Sequence, residues 1–136
     1  MKALDTNVVV RFLVKDDERQ SEIVYRIFKR TEADGNRLWL PLLVVLETIW
    51  VLDSVYEILR KDILDALNDL LLMPILKFEA PNTIQRFIFS ARKNNIDLSD
   101  VLIACASQQS GCERVLTFDK KASQFELFEL IKSIPQ

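Results

Sequence analysis

The 136-residue sequence contains no histidine, only two cysteines and only two glycines. The absence of histidine excludes Ser/His/Asp and Cys/His triads, and it removes the commonest general base and the commonest zinc ligand. Cys105 and Cys112 form no CxxC pair, so they are most simply two reduced thiols of a cytosolic chain. If the chain is an enzyme, its carboxylates are therefore the side chains best suited to the chemistry.

An excess of positive charge and long apolar runs are also missing. The chain has 20 Asp and Glu against 18 Lys and Arg, a formal net charge of −2, so any attraction for a nucleic acid must be local. The longest uncharged stretch, residues 101–112, is shorter than the roughly 20 residues that span a bilayer. Asp5 interrupts the region where a signal peptide would be apolar. We therefore expect a cytoplasmic protein with no membrane segment.

Short apolar segments alternate with longer helical patterns along the chain, without a repeat or a linker. Residues 2–4, 38–40, 75–78 and 115–118 are predicted strands; residues 8–14, 18–30, 62–72, 83–93 and 99–109, and a segment that begins at residue 41, are predicted helices. This alternation is typical of a parallel sheet covered by helices on both faces. The length and the 49% of hydrophobic residues predict a single α/β domain over residues 1–136.

Two of the predicted strands run into an aspartate. Asp5 follows residues 2–4, and Asp119 follows residues 115–118. A single aspartate after a strand is most simply a turn former or a helix cap. Ligand sites of open α/β sheets, however, lie at the carboxyl ends of the strands. Two such aspartates in one chain favour a functional interpretation.

Glu47 is the only charged residue between Arg37 and Asp53, and its predicted helix is apolar almost all round. Burying an unpaired polar group costs roughly 2–7 kcal/mol, and burial raises the pKa of a carboxyl. Glu47 is therefore expected to meet a partner. An arginine in a buried ion pair and a cation in a functional cleft both stay open.

Asp97 and Asp100 lie at the start of the predicted helix 99–109. Asp97 or Ser99 can cap this helix, and the helix dipole favours Asp100 in the first turn by roughly 0.3–1 kcal/mol. Capping explains one of these acids completely and the pair only in part. Because the two acids are three residues apart, they share one helix face.

A cation is required if Asp5, Glu47, Asp100 and Asp119 converge, because four carboxylates repel one another. Oxygen ligands without histidine or cysteine select Mg²⁺ or Mn²⁺ over zinc or copper. Such an ion can activate a water molecule and stabilise the attacking and leaving oxygens of a displacement at phosphorus. The acids therefore indicate phosphodiester hydrolysis.

At these positions the sequence resembles the PIN-domain family and, within it, the VapC-type ribonuclease toxins of prokaryotic toxin–antitoxin pairs. The matching segments are residues 3–8, 46–52, 97–104 and 116–119, in the order of the family and with similar spacing. The resemblance implies a single compact α/β/α domain with a short parallel sheet flanked by helices. It also implies an RNA-cleaving site that depends on Mg²⁺ or Mn²⁺.

The same resemblance implies roles for individual side chains. Asp5, Glu47 and Asp100 are similar to the three core metal-site acids of the family, and Asp119 is similar to a more variable fourth acid. Polar neighbours would support or orient these carboxylates. The implied supporting residues are Asp97, Thr6, Asn7 and Thr117.

Partners are implied as well. The family pairs a toxin with an antitoxin protein that blocks the cleft, and its toxins form homodimers; both contacts need exposed apolar surface. RNA that approaches an acidic cleft needs basic residues at the rim to hold its phosphates. The candidate rim residues are Arg11, Lys15, Arg92, Lys93, Lys120 and Lys121. Each of these, taken singly, is equally well explained as an ordinary surface charge.

Two alternatives compete with this interpretation. The first is another carboxylate chemistry on a related fold, and it fits less well. An aspartyl-phosphate phosphatase would place a second aspartate two residues after Asp5, where this chain has Asn7, and a receiver domain would place its phosphoacceptor after a central strand. The second alternative is a catalytically weak or inactive PIN-like module that binds RNA or protein and keeps its acids for structure.

Overall fold

The computed structural model describes residues 1–132, and its α-helices and strands fall into two compact units. The first unit comprises Met1–Pro81, and the second begins at Asn82. Every strand pair in the described residues is parallel, and long helices separate most of the strands, so the predicted α/β class is confirmed. Within residues 1–132, no helix combines the length and the apolar character that a membrane span requires.

The first unit is built on a three-stranded sheet in the order β1-β2-β3. Lys2 pairs with Leu38 and Leu40 pairs with Phe78, so the carboxyl ends of the three strands lie at the same edge. The helices of this unit pack their apolar faces around a core that includes Val9, Phe28 and Ile63. The elements are β1 (Lys2–Ala3), α1 (Thr6–Leu13), α2 (Glu18–Ala33), β2 (Leu38–Leu40), α3 (Leu42–Ser54), α4 (Arg60–Leu71) and β3 (Leu76–Phe78).

The second unit contains two helices and a two-stranded parallel sheet, in which Val115 pairs with Phe128 and Thr117 with Leu130. Ala104 packs with Ala122 and Phe128 in the small core beneath this sheet. A 3₁₀ turn at Ala122–Gln124 connects the two strands. The elements are α5 (Pro81–Ala91), α6 (Leu98–Gln109), β4 (Val115–Thr117) and β5 (Phe128–Leu130).

The four strands predicted from the sequence are all present, whereas β5 was not predicted. The sequence Phe128-Glu129-Leu130 is too short to show a clear alternation, and it becomes a strand because Val115 and Ile131 donate backbone hydrogen bonds across the pair. The strands form two ladders, one in each unit, where the sequence predicts one sheet. The single domain over residues 1–136 stays a prediction.

Candidate functional site

Asp5 lies between the end of β1 and the start of α1. The backbone N–H of Leu4 still donates to the carbonyl of Trp39 at 2.9 Å, which extends the strand pairing. Asp5 then takes an extended backbone conformation and caps α1, because its Oδ1 accepts a hydrogen bond from the N–H of Val8 at 3.1 Å. A carboxylate can accept about four hydrogen bonds. Capping therefore leaves the exposed Asp5 with free acceptor capacity for a cation.

Glu47 lies on α3, beside the start of α1. The side chains of Val45, Thr48, Ile49 and Leu52 form the buried stripe of this helix. Glu47 lies outside that stripe and is exposed, so the expectation of a desolvated carboxylate is wrong. The expectation failed because the exposed face of α3 is also apolar. This face carries Leu43 and Trp50.

The hydrogen-bond partner of Glu47 is the neutral side chain of Thr6, whereas both alternatives predicted from the sequence were cations. The Thr6 hydroxyl, in the first turn of α1, donates to Oε1 of Glu47 at 2.9 Å. No arginine forms an ion pair with Glu47 in the part of the chain that the structure describes, so the buried ion pair is not the explanation. The exposed Asn7 follows Thr6 in the same turn. The first unit thus couples the helix that Asp5 caps to the helix that carries Glu47.

Glu79 is a carboxylate at the same sheet edge that sequence analysis missed. It follows β3, and its Oε1 accepts a hydrogen bond from the N–H of Leu42 at 3.2 Å, at the start of α3. Because Pro41 has no side chain that can cap this helix, Glu79 supplies the acceptor from the neighbouring strand. Its position directly after a strand, like that of Asp5, was the signal that could have found it.

Asp97 and Asp100 occupy the start of α6 in the second unit. Oδ1 of Asp97 accepts hydrogen bonds from the N–H groups of Ser99 at 3.0 Å and Asp100 at 3.4 Å, so Asp97 is the cap of this helix. Leu98, Val101 and Leu102 are buried and fix the orientation of the first turn. Asp100 is thereby held in a partly buried position beside the capping carboxylate.

Asp119 follows β4 and is held by three hydrogen bonds. Its N–H donates to Oγ1 of Thr117 at 3.0 Å, and its Oδ1 accepts from the N–H groups of Lys121 at 2.8 Å and Ala122 at 3.2 Å. The buried Ala122 anchors this turn in the core of the unit. In Asp119, as in Asp5 and Asp97, one carboxylate oxygen accepts hydrogen bonds from backbone N–H groups. The second oxygen can therefore bind a cation.

The acids of the second unit repel one another. Partial burial raises the pKa of Asp100 above its ordinary value, and the negative charges of Asp97 and Asp119 raise it further. Negative charge at a helix N-terminus is favourable, so burial and like charge act on Asp100 against the helix dipole. A nearby cation would remove this penalty.

The donor set fits a hard divalent cation by its chemistry, since the acids offer only oxygen. Across residues 1–132, no three side chains among His, Cys, Asp and Glu already form a group that could hold a metal ion. Mg²⁺ does not need such a group, because it keeps several water molecules and binds through one or two carboxylates together with substrate phosphates. Asp100, whose pKa is raised by burial and by the charges of Asp97 and Asp119, is a carboxylate that such a cation would stabilise.

The candidate rim residues differ in how free they are. Arg11 is engaged within the first unit, where it donates to Gln20 at 2.6 Å, Asp16 at 3.2 Å and the hydroxyl of Tyr56 at 3.1 Å. The hydrogen bond with Tyr56 and the charge of Asp16 raise the pKa of Arg11. The ammonium of Lys93 lies 3.9 Å from the ring centre of Phe89. Lys15, Lys120 and Lys121 are exposed; Arg92 is exposed as well but is not without a partner.

Comparison with known proteins agrees with the sequence resemblance. The chain is 26% identical over 121 residues to a VapC ribonuclease from Aquifex aeolicus (strain VF5), and the match covers 89% of each chain. The family model described as PIN domain matches residues 2–126, which takes in nearly all of the first unit, the second unit as far as residue 126, and all of the candidate acids. The chain therefore belongs to the PIN-domain family.

Proposed function

We propose that this protein is a Mg²⁺- or Mn²⁺-dependent endoribonuclease that acts as the toxin of a type II toxin–antitoxin pair. The observation that carries the proposal is the PIN match over residues 2–126, since it spans Asp5, Glu47, Asp100 and Asp119. The relative from Aquifex aeolicus, which is called a VapC ribonuclease, supports the choice of RNA and of the toxin role. A toxin that cleaves cellular RNA acts in the cytoplasm, as the sequence predicts.

In this proposal Asp5, Glu47, Asp100 and Asp119 serve one reaction and are the groups that would hold the metal. A bound divalent ion supplies an activated water molecule and stabilises charge on the phosphate oxygens. The protein side chains set the orientation of the carboxylates. Thr6 holds Glu47 through its hydroxyl, and the backbone N–H groups at residues 121 and 122 hold Asp119.

Cleavage of RNA by purified protein tests the catalytic proposal. Structured RNA is incubated with Mg²⁺ or Mn²⁺ and with wild type, Asp5→Asn, Asp100→Asn or Asp69→Asn, all freed of antitoxin. Loss of a polar group that merely supports a metal ligand costs about 10–100-fold, so we expect the first two variants to lose at least about 100-fold. Asp69→Asn, a neutralised exposed acid on α4, is the matched control and should cleave like wild type.

The outcome also decides between an enzyme and a binding module. Intact RNA with wild type, or equal cleavage by all four proteins, would contradict the nuclease. Thermal unfolding gives a second readout of the metal: ligands that bind only the folded state stabilise it, so MnCl₂ should raise the Tm of wild type and Asp69→Asn more than that of Asp100→Asn.

Exposed apolar side chains support the proposed antitoxin and homodimer contacts. Leu43 and Trp50 lie on the exposed face of α3, four residues before and three residues after Glu47, so the three share one face. An antitoxin that covered this face would cover Glu47 as well. We therefore propose that the antitoxin inhibits by occupying it.

A growth assay tests the toxin role. Induced wild type should arrest growth, Asp5→Asn should not, and co-expression of the antitoxin should restore growth. Arrest that persists in Asp5→Asn would count against toxicity by RNA cleavage. Sedimentation of the free protein tests the homodimer, for which a monomer mass of 15.8 kDa would be the contradicting result.

A further inference from the structure

Phe118 is the most exposed large apolar side chain in the described residues, with 79% of its surface accessible. It stands between Thr117, the last residue of β4, and the candidate acid Asp119. Displaying a phenyl ring to water costs free energy that burial would recover. A ligand that covered the ring at this position would therefore gain this free energy.

The segment that carries Phe118 is fixed on both sides. Thr117 pairs with Leu130 in the β4–β5 ladder, and its Oγ1 accepts the N–H of Asp119 at 3.0 Å. On the other side, Asp119 caps the turn whose Ala122 is buried in the core. The exposed ring is thus presented from an ordered turn, which lowers the entropic cost of binding to it.

The same turn carries two positive charges. Lys120 and Lys121 follow Asp119 directly, both are exposed, and neither belongs to an ion pair within residues 1–132. An aromatic ring beside unpaired lysines is the combination by which proteins bind single-stranded nucleic acid: the ring stacks on a base and the lysines attract phosphates.

We propose that Phe118 is a stacking platform for a base of single-stranded RNA, and that Lys120 and Lys121 receive the neighbouring phosphates. The inference rests on the proposed function, because RNA is the ligand. It assigns to this turn the positioning of an unpaired nucleotide next to Asp119.

Binding to two matched oligonucleotides tests the proposal without any cleavage. Fluorescence anisotropy is measured in EDTA, in the Asp5→Asn background, with a labelled oligoadenylate and with an abasic ribose-phosphate strand of equal length. Stacking contributes roughly 1–3 kcal/mol per base, so Phe118→Ala should weaken oligoadenylate binding about 10-fold and leave the abasic strand unaffected. Phe118→Trp should keep the affinity and show quenched indole fluorescence.

The lysines and a neighbouring apolar residue provide the controls. Lys120→Gln with Lys121→Gln should weaken both strands and lower the slope of log affinity against log salt by about 1.4, at roughly 0.7 per phosphate contact. Leu116→Ala removes an apolar side chain that is 63% exposed on the same strand and should change neither affinity.

Four results would overturn the stacking platform: unchanged oligoadenylate affinity in Phe118→Ala, equal losses on both strands, an equal loss in Leu116→Ala, or no binding at all. In the first of these cases, a halved molecular mass of Phe118→Ala would assign the ring to a contact with a second protein copy. A wild-type protein that shows the expected binding pattern but leaves RNA intact with Mg²⁺ refutes the proposed function alone.

Discussion

The candidate acids of the first unit and those of the second are stabilised in different ways. In the first unit, Asp5 accepts a backbone N–H and Glu47 accepts the hydroxyl of Thr6, so a neutral donor holds each carboxylate. In the second unit, Asp100 is partly buried beside two further acids, and burial and like charge raise its pKa. Backbone N–H groups also hold Asp97 and Asp119, but only the second set carries, at Asp100, a charge repulsion that a cation or a proton would relieve.

This difference separates two requirements of a metal-dependent site. Ligands must be oriented before the ion arrives, and the ion must gain enough free energy on binding to displace its water. In the proposed site, hydrogen bonds such as Thr6 to Glu47 would meet the first requirement. The repulsion around Asp100 would meet the second, because a carboxylate that is penalised without a cation gains more when the cation binds.

The largest effect that would test this comparison is expected from Thr6→Val. Valine has nearly the shape of threonine but cannot donate to Glu47, so the carboxylate loses its orientation. Outer-shell groups of this kind typically contribute 10–100-fold, and we expect a loss of RNA cleavage in that range. Thr6→Ser keeps the hydroxyl and should restore most of the activity.

Thr6 acts through Glu47 and is therefore a positioning residue. Its loss should lower the rate of RNA cleavage without lowering the affinity for RNA. RNA affinity measured by anisotropy should change little in Thr6→Val, while the single-turnover cleavage rate falls. Equal activity of the Val and Ser variants would show that the 2.9 Å contact does not orient Glu47.

The sequence was sufficient to predict the acids at strand ends, because the change from an apolar run to Asp5 or Asp119 is local. The sequence left the cap of α6 open between Asp97 and Ser99, and the structure assigns it to Asp97. The sequence did not predict the role of Glu79, because its carboxylate caps a helix that begins 37 residues earlier in the chain. The two residues are brought together by the pairing of two neighbouring strands. Contacts between residues so distant in the chain leave no local pattern.

The surroundings of Glu47 were mispredicted for a different reason. Hydrophobic residues around a helix suggest burial, but composition does not say which face the fold covers. Leu43 and Trp50 are apolar and exposed, and the partner of Glu47 is a neutral hydroxyl 41 residues away rather than a charge. Only the packing of α1 against α3 reveals this arrangement.

A smaller effect is expected from exchanging the caps of the two units. Asn caps a helix as well as Asp does, whereas Ala loses about 1 kcal/mol. Asp97→Ala and Asp5→Ala should therefore each lower the free energy of unfolding by about 1 kcal/mol, while the Asn variants should stay close to wild type. Urea titration measures these values.

The cap exchange also separates structure from chemistry in each unit. Asp5→Asn should fold like wild type and yet lose cleavage, whereas Asp97→Asn should keep most of both if Asp97 only supports Asp100. Loss of stability in the Asn variants would mean that charge, and not capping, is what these positions supply.

The smallest effect, and the one that tests the charge repulsion directly, is expected from Asp100→Asn in EDTA. The substitution removes a partly buried charge that Asp97 and Asp119 repel. Since the side chain is only partly buried, water screens the repulsion, and the gain should be about 0.5 kcal/mol, or roughly 2 °C in Tm at neutral pH. A control substitution, Asp69→Asn, should leave the Tm nearly unchanged.

The pH dependence of this difference follows from the direction of the pKa shift. The pKa of Asp100 is higher in the folded protein than the ordinary aspartate value of 3.8, so between the two values the folded state binds more protons than the unfolded state. The penalty is complete above the folded pKa and is relieved as the pH falls toward 3.8. The stability advantage of Asp100→Asn should therefore be present at pH 7 and shrink as the solution is acidified. It should reverse on addition of MnCl₂, because Mn²⁺ binds the Asp100 carboxylate of the wild type and so stabilises the wild type more than the variant. A variant that is less stable than wild type at pH 7 in EDTA would show that the helix dipole outweighs the repulsion, and the distinction between the two units would fail.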